Sequence, residues 1–88
     1  MISILKILAV DDDSAVRDSI SHSLRSNSME CVEASDPSEA RRLLLGPEAM
    51  GFDLILLDVL MPGMSGWEFL SELRAEGNDT PVIFLTGL

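Results

Sequence analysis

Asp53-Leu54-Ile55-Leu56-Leu57-Asp58-Val59-Leu60-Met61-Pro62-Gly63-Met64-Ser65-Gly66 decides how this chain folds. An unbroken apolar block of strand length between two aspartates suits a strand buried on both faces. Pro62 and Gly63 turn the chain after it. Ser65 and Glu68 then form a capping box, predicting a helix with Phe69, Leu70 and Leu73 inward that breaks at Gly77-Asn78-Asp79.

Upstream, Ile4 to Val10 is a second apolar run, and it halts at Asp11-Asp12-Asp13. It reads as the first strand. Asp13 or Ser14 caps a helix with Val16, Ile20 and Leu24 inward and Arg17, Asp18 and Arg25 on the outer face, ending at Asn27-Ser28. Glu30 to Ala34 is a weaker, more exposed strand. Asp36-Pro37-Ser38-Glu39 starts a second helix, with Pro at the first helical position and Ala40, Leu43 and Leu44 along one side, ending near Gly46-Pro47. Downstream, Pro81 to Thr86 makes a fourth strand.

Strands alternating with helices over short connections imply parallel βαβ units, whose right-handed crossovers put every strand's carboxyl end on one edge of the sheet. Asp11, Asp12, Asp58 and Thr86 all fall at such ends, where open α/β sheets bind ligands.

Six Lys and Arg against fifteen Asp and Glu leave a net charge of −9, which opposes sequence-independent binding to nucleic acid or anionic membranes. No apolar run approaches the ~20 residues a bilayer needs, and Lys6 interrupts the short apolar start, so a cytoplasmic protein is expected. Eighty-eight residues make one domain at most. The single cysteine, Cys31, and the single histidine, His22, lack ligand spacing; Cys31 reads as structural.

Carboxylates crowded at strand ends repel one another unless one takes up a proton or a divalent cation joins them. An oxygen-only donor set favours a hard ion such as Mg²⁺, with Mn²⁺ the substitute, over zinc. Asp58 is placed as a nucleophile toward phosphorus, Asp11 and Asp12 as metal ligands, and the Thr86 hydroxyl as a donor to a phosphoryl oxygen. Asp13 reads as a cap rather than a ligand. Read alone, Thr86 could equally be a turn residue. Asp36 reads as a cap, Asp53 as a solvated strand start and Trp67 as a partly exposed helix residue.

Three stretches taken together, Ile7-Leu8-Ala9-Val10-Asp11-Asp12-Asp13, the block from Asp53 to Gly66, and Phe84-Leu85-Thr86-Gly87, resemble the receiver domain of two-component response regulators. The resemblance implies a flavodoxin-like α/β fold with a parallel sheet over residues 1–88. It implies an aspartyl phosphate on Asp58, formed with Mg²⁺ from a histidine kinase or a histidine phosphotransfer protein. Such a domain is not a conventional enzyme but catalyses its own phosphorylation and dephosphorylation. By the same resemblance, Asp12 is the direct metal ligand beside Asp58, Asp11 the second acidic residue and the Leu60 backbone carbonyl the remaining protein ligand. Pro62 and Gly66 shape the loop, and Thr86 is similar to the switch residue that carries the signal to an output domain or partner.

The family's fourth helix, fifth strand and fifth helix are expected to be missing, together with the lysine that ends the fifth strand. Lys6, the only lysine here, should lie toward the opposite edge of the sheet. An open fourth strand would then favour self-association.

Two other readings compete. A phosphorylation-independent pseudo-receiver would act as an interaction module without metal. A haloacid-dehalogenase-like phosphatase would use Asp11 as nucleophile, but that leaves Asp58 and Met61-Pro62-Gly63 unexplained and puts Ala15 where Thr or Val is usual.

Overall fold

The computed structural model describes residues 4–47 and 49–85, so Thr86 lies outside the described residues. The elements follow the order read from the sequence: β1 (Lys6–Val10), α1 (Ser14–Ser26), β2 (Glu30–Ala34), α2 (Pro37–Leu45), β3 (Leu54–Asp58), α3 (Gly66–Ala75) and β4 (Val82–Leu85). All strand pairs are parallel and the sheet order is β2-β1-β3-β4. This is the flavodoxin-like arrangement, in which the order reverses between β1 and β3 and leaves a crevice beyond their carboxyl ends.

Each helix begins where its cap dictates. The carboxylate of Asp13 accepts from the N–H groups of Ala15 and Val16, that of Asp36 from Glu39, and the hydroxyl of Ser65 from Glu68. These bonds satisfy donors the first helical turn leaves free. Two helices end alike. After α3 the N–H of Gly77, at φ +86°, donates to Arg74 and that of Asn78 to Leu73. After α1, Ser28 and Met29 do the same to Arg25 and Leu24, with Ser28 at φ 63°. This paired closure needs one left-handed residue.

Side chains at paired positions of a parallel sheet share a face. Leu8, Val10, Ile55 and Leu57 point to the face covered by α2 and α3, where they bury with Ala34, Ala40, Leu44, Met61, Phe69 and Leu73. The opposite face carries Ile7, Ala9 and Cys31, all buried, with α1 packed over β1 and β2.

That placement corrects the reading of α1. Val16 is exposed and Ile20 half-buried, whereas Ser21 is buried and Arg17 is tucked in with a side chain only 15% exposed. The helix leans toward the β2 side of the sheet, which takes Arg17 and Ser21 inward and leaves Val16 beside the cleft at the carboxyl end of β1. A four-residue apolar spacing marks one stripe of a helix. It does not say which flank of that stripe meets the sheet. β1 and β4 also start later than their apolar runs do, at Lys6 and Val82, because pairing begins only where a neighbouring strand is alongside.

Candidate functional site

Asp11 and Asp12 follow β1, and Asp58 closes β3. Because β1 and β3 are neighbours in register, with Val10 opposite Leu57, the three carboxylates come to one point across 47 residues of sequence. One oxygen from each lies within 4.8 Å of the others. They open into a cleft also lined by Asp13, Val16, Ile20, Leu60, Phe84 and Leu85.

Each acid is held differently. Asp11 is buried at 6% exposure, and its Oδ1 accepts the Asp13 N–H at 2.9 Å. Asp12 is exposed and Asp58 is intermediate. Oδ1 of Asp58 accepts the backbone N–H of Leu60 at 3.2 Å. Partial burial pushes the Asp58 carboxyl above the ordinary carboxylate range; the Leu60 N–H opposes that shift, and the nearby charges of Asp11 and Asp12 add to it. The site disfavours three negative charges at once.

The loop after Asp58 is shaped by a close approach. The Gly66 N–H donates to the Val59 carbonyl at 2.8 Å, and a Cβ at Gly66 would stand 2.5 Å from the Asp58 carbonyl oxygen. Pro62 is exposed on the outer turn of this loop, while Leu60 is 75% exposed. Lys6 lies at the other end of β1, where its N–H donates to Asp53, so Asp53 bridges two strands as well as facing solvent. Thr86 follows β4 in sequence, but its position lies outside the described residues.

The donor set fits a hard divalent ion. Three carboxylates each bring one oxygen within 4.8 Å of the others, an oxygen-only donor set of the kind Mg²⁺ takes. Among the described residues this is the one cluster of three such groups.

Arg17 was missed at the sequence level. Its Nη1 donates to the Asp11 carbonyl at 2.6 Å, and its Nε faces Glu33 at 3.4 Å. Trp67, 58% exposed, stacks on Phe84 with ring centroids 4.0 Å apart, beside the cleft. Neither contact leaves a local signal, because each joins residues that meet only after the helices are docked. Cys31 is a free buried thiol, its pKa raised by burial as a structural cysteine's would be.

The comparisons with known proteins agree with this geometry. The model of the response regulator receiver domain matches residues 7–88. The response regulator MprA of Mycobacterium leprae is 40% identical over 82 residues, which are 93% of this chain and 35% of that protein. The chain therefore spans about a third of the length of the curated relatives it matches. A Francisella response regulator receiver domain superposes with a TM-score of 0.86 at 32% identity, covering 96% of this chain and 67% of that one. The response regulator TrrA of Thermotoga maritima, solved in complex with Mg²⁺-BeF, does so with a TM-score of 0.85 at 32% identity, covering 97% and 71%. The dehalogenase-like reading gives way to these matches. The family match over residues 7–88, on a sheet whose acidic cluster stands at its switch point, makes this chain a member of the response regulator receiver domain family of two-component systems.

Proposed function

We propose that the chain is a phosphoacceptor switch in which Asp58 takes a phosphoryl group from a phosphohistidine of a sensor kinase or phosphotransfer protein. The observation that carries this reading is the meeting of Asp11, Asp12 and Asp58 within 4.8 Å, with the Leu60 N–H already on Asp58. An Asp58 oxygen attacks phosphorus, the P–N bond breaks, and the imidazole nitrogen keeps the electron pair. Asp11, Asp12, Asp58 and the Leu60 carbonyl are the groups that would hold Mg²⁺ or Mn²⁺. When bound, the ion neutralises charge on the carboxylates and the phosphoryl oxygens.

The neighbour solved with Mg²⁺-BeF supports the same chemistry here, since beryllium fluoride resembles a phosphoryl group in shape and charge. Thr86 would donate its hydroxyl to the phosphoryl group and pass the change to an output domain or partner protein. The switch is then a two-state equilibrium biased by phosphate. In this reading all 88 residues serve one receiver domain.

The test is incubation with a small-molecule phosphoryl donor and Mg²⁺, followed by intact mass spectrometry, on this chain and on one extended through a fifth strand and helix. One phosphoryl adduct that vanishes with Asp58→Asn or with chelator is expected. A folded, extended protein that takes no adduct would put the interaction-module reading in its place.

A further inference from the structure

Arg17 joins three elements from the first turns of α1. Its Nη1 donates to the Asp11 carbonyl at 2.6 Å, and its Nε reaches the Glu33 carboxylate of β2 at 3.4 Å. The carbonyl it grips belongs to the peptide linking Asp11 to Asp12. Asp11's own carboxylate is tied down separately by the Asp13 N–H. Asp12 is exposed, so the backbone that carries it is set by that shared peptide.

We infer that Arg17 is a positioning residue for the acidic cluster: by holding the Asp11–Asp12 peptide against α1 and β2, it pre-sets the two carboxylates to receive a divalent cation with Asp58. The inference rests on the receiver reading of the site and deepens it. Geometry carries it more than charge, because the Glu33 carboxylate offsets much of the guanidinium's field at the cluster. A planar guanidinium can serve a carbonyl and a carboxylate at once with fixed angles, whereas an ammonium on a flexible stem cannot hold both in the same geometry. Groups that orient metal ligands in this way commonly govern affinity.

The experiment is calorimetric titration of MgCl₂ into the wild type, Arg17→Met, Arg17→Lys and Arg41→Met, at a temperature where circular dichroism shows each folded. Arg41 makes a comparable ion pair, 2.6 Å to Glu72, between α2 and α3 and away from the cluster, so its loss reports what a merely structural bridge does. Arg17→Met is expected to weaken Mg²⁺ binding about tenfold or more. Arg17→Lys should fall between it and the wild type, and Arg41→Met should lower the melting temperature while leaving the Mg²⁺ affinity unchanged.

Wild-type affinity in Arg17→Met, or an equal loss in Arg41→Met, overturns the inference. Should Arg17→Met fail to fold, Arg17→Lys decides, and wild-type affinity there overturns it as well. A wild type that binds no Mg²⁺ while folded defeats the receiver reading of the site first, and the role of Arg17 with it.

Discussion

Asp58 and Gly66 approach so closely that a methyl group at position 66 would stand 2.5 Å from the Asp58 carbonyl oxygen and 3.1 Å from the Val59 Cα. The neighbouring atoms are backbone and cannot swing aside. Gly66→Ala must therefore push the start of α3 away from the end of β3, at a cost of about 1–3 kcal/mol for a forced overpacking. Gly51, where a Cβ would meet nothing within 4 Å, is the matched control. Urea unfolding of both variants should show a lowered midpoint for Gly66→Ala alone, and an unshifted midpoint there would remove the close approach as the reason for glycine.

The raised Asp58 pKa makes stability fall with rising pH. The folded state binds the Asp58 proton more tightly than the unfolded chain does, so stability declines as pH climbs from the ordinary carboxylate range through the raised value. Above that window the metal-free protein carries the full repulsion. Asp58→Asn should then raise the melting temperature at neutral pH. Screening at this half-open site holds the gain to roughly 0.5–1 kcal/mol, or about 2–6 °C in a domain of this size. At pH 3 the two proteins should converge. Thermal melts at the two pH values check this, and a destabilised Asp58→Asn at neutral pH would contradict it.

Mg²⁺ should stabilise the same protein by mass action. A ligand at a hundred times its dissociation constant adds about 2.7 kcal/mol to a state that alone binds it. The wild-type melting temperature is expected to climb with MgCl₂, and that of Asp58→Asn to climb far less. Because protons compete with metal at Asp58, the wild-type affinity should tighten as pH rises through its raised pKa and then level off. A slope with MgCl₂ that is equal in the two proteins would assign the effect to ionic strength.

Ser28 closes α1 at φ 63°, a conformation that strains a residue with a Cβ. Ser28→Gly keeps the N–H bond to the Arg25 carbonyl and relieves that strain. The expected gain is about 0.5–1 kcal/mol, the strain relief being partly cancelled by glycine's greater freedom in the unfolded chain. Denaturant titration that finds a loss of stability would show the serine hydroxyl to matter more than its backbone.

β4 is an outer strand of the four-stranded sheet, and Ile83 on it is 53% exposed. An apolar edge of this kind pairs with other chains. The 88-residue chain should self-associate with rising concentration, and Ile83→Lys should shift it toward monomer. Light scattering behind size exclusion decides the matter: a wild type that stays monomeric throughout would show that the edge is already protected.

Much of this was legible in the residues because the signals are local. The caps at Asp13, Asp36 and Ser65 lie within three residues of the groups they satisfy, and all three helices start where those caps place them. The apolar blocks around Leu8 and Leu56 found β1 and β3, and the crossover rule then brought Asp11, Asp12 and Asp58 to one edge without coordinates. The inward face of α1 was misjudged at Val16, because periodicity sets a stripe and docking sets its rotation.

The sequence by itself determined the order of elements, the parallel sheet and the convergence of the three acids, since each follows from chain-local chemistry and the handedness of L-residues. Only the tertiary structure decided how those acids are held. It turned Arg17 from a surface residue into a brace on the Asp11 carbonyl, brought the backbone of Asp58 too close to position 66 for a Cβ to fit without displacement, and laid Trp67 on Phe84. These depend on the lean of a helix and the approach of two backbones, distances of an ångström or so that are fixed by packing across the whole core and by no single stretch of residues.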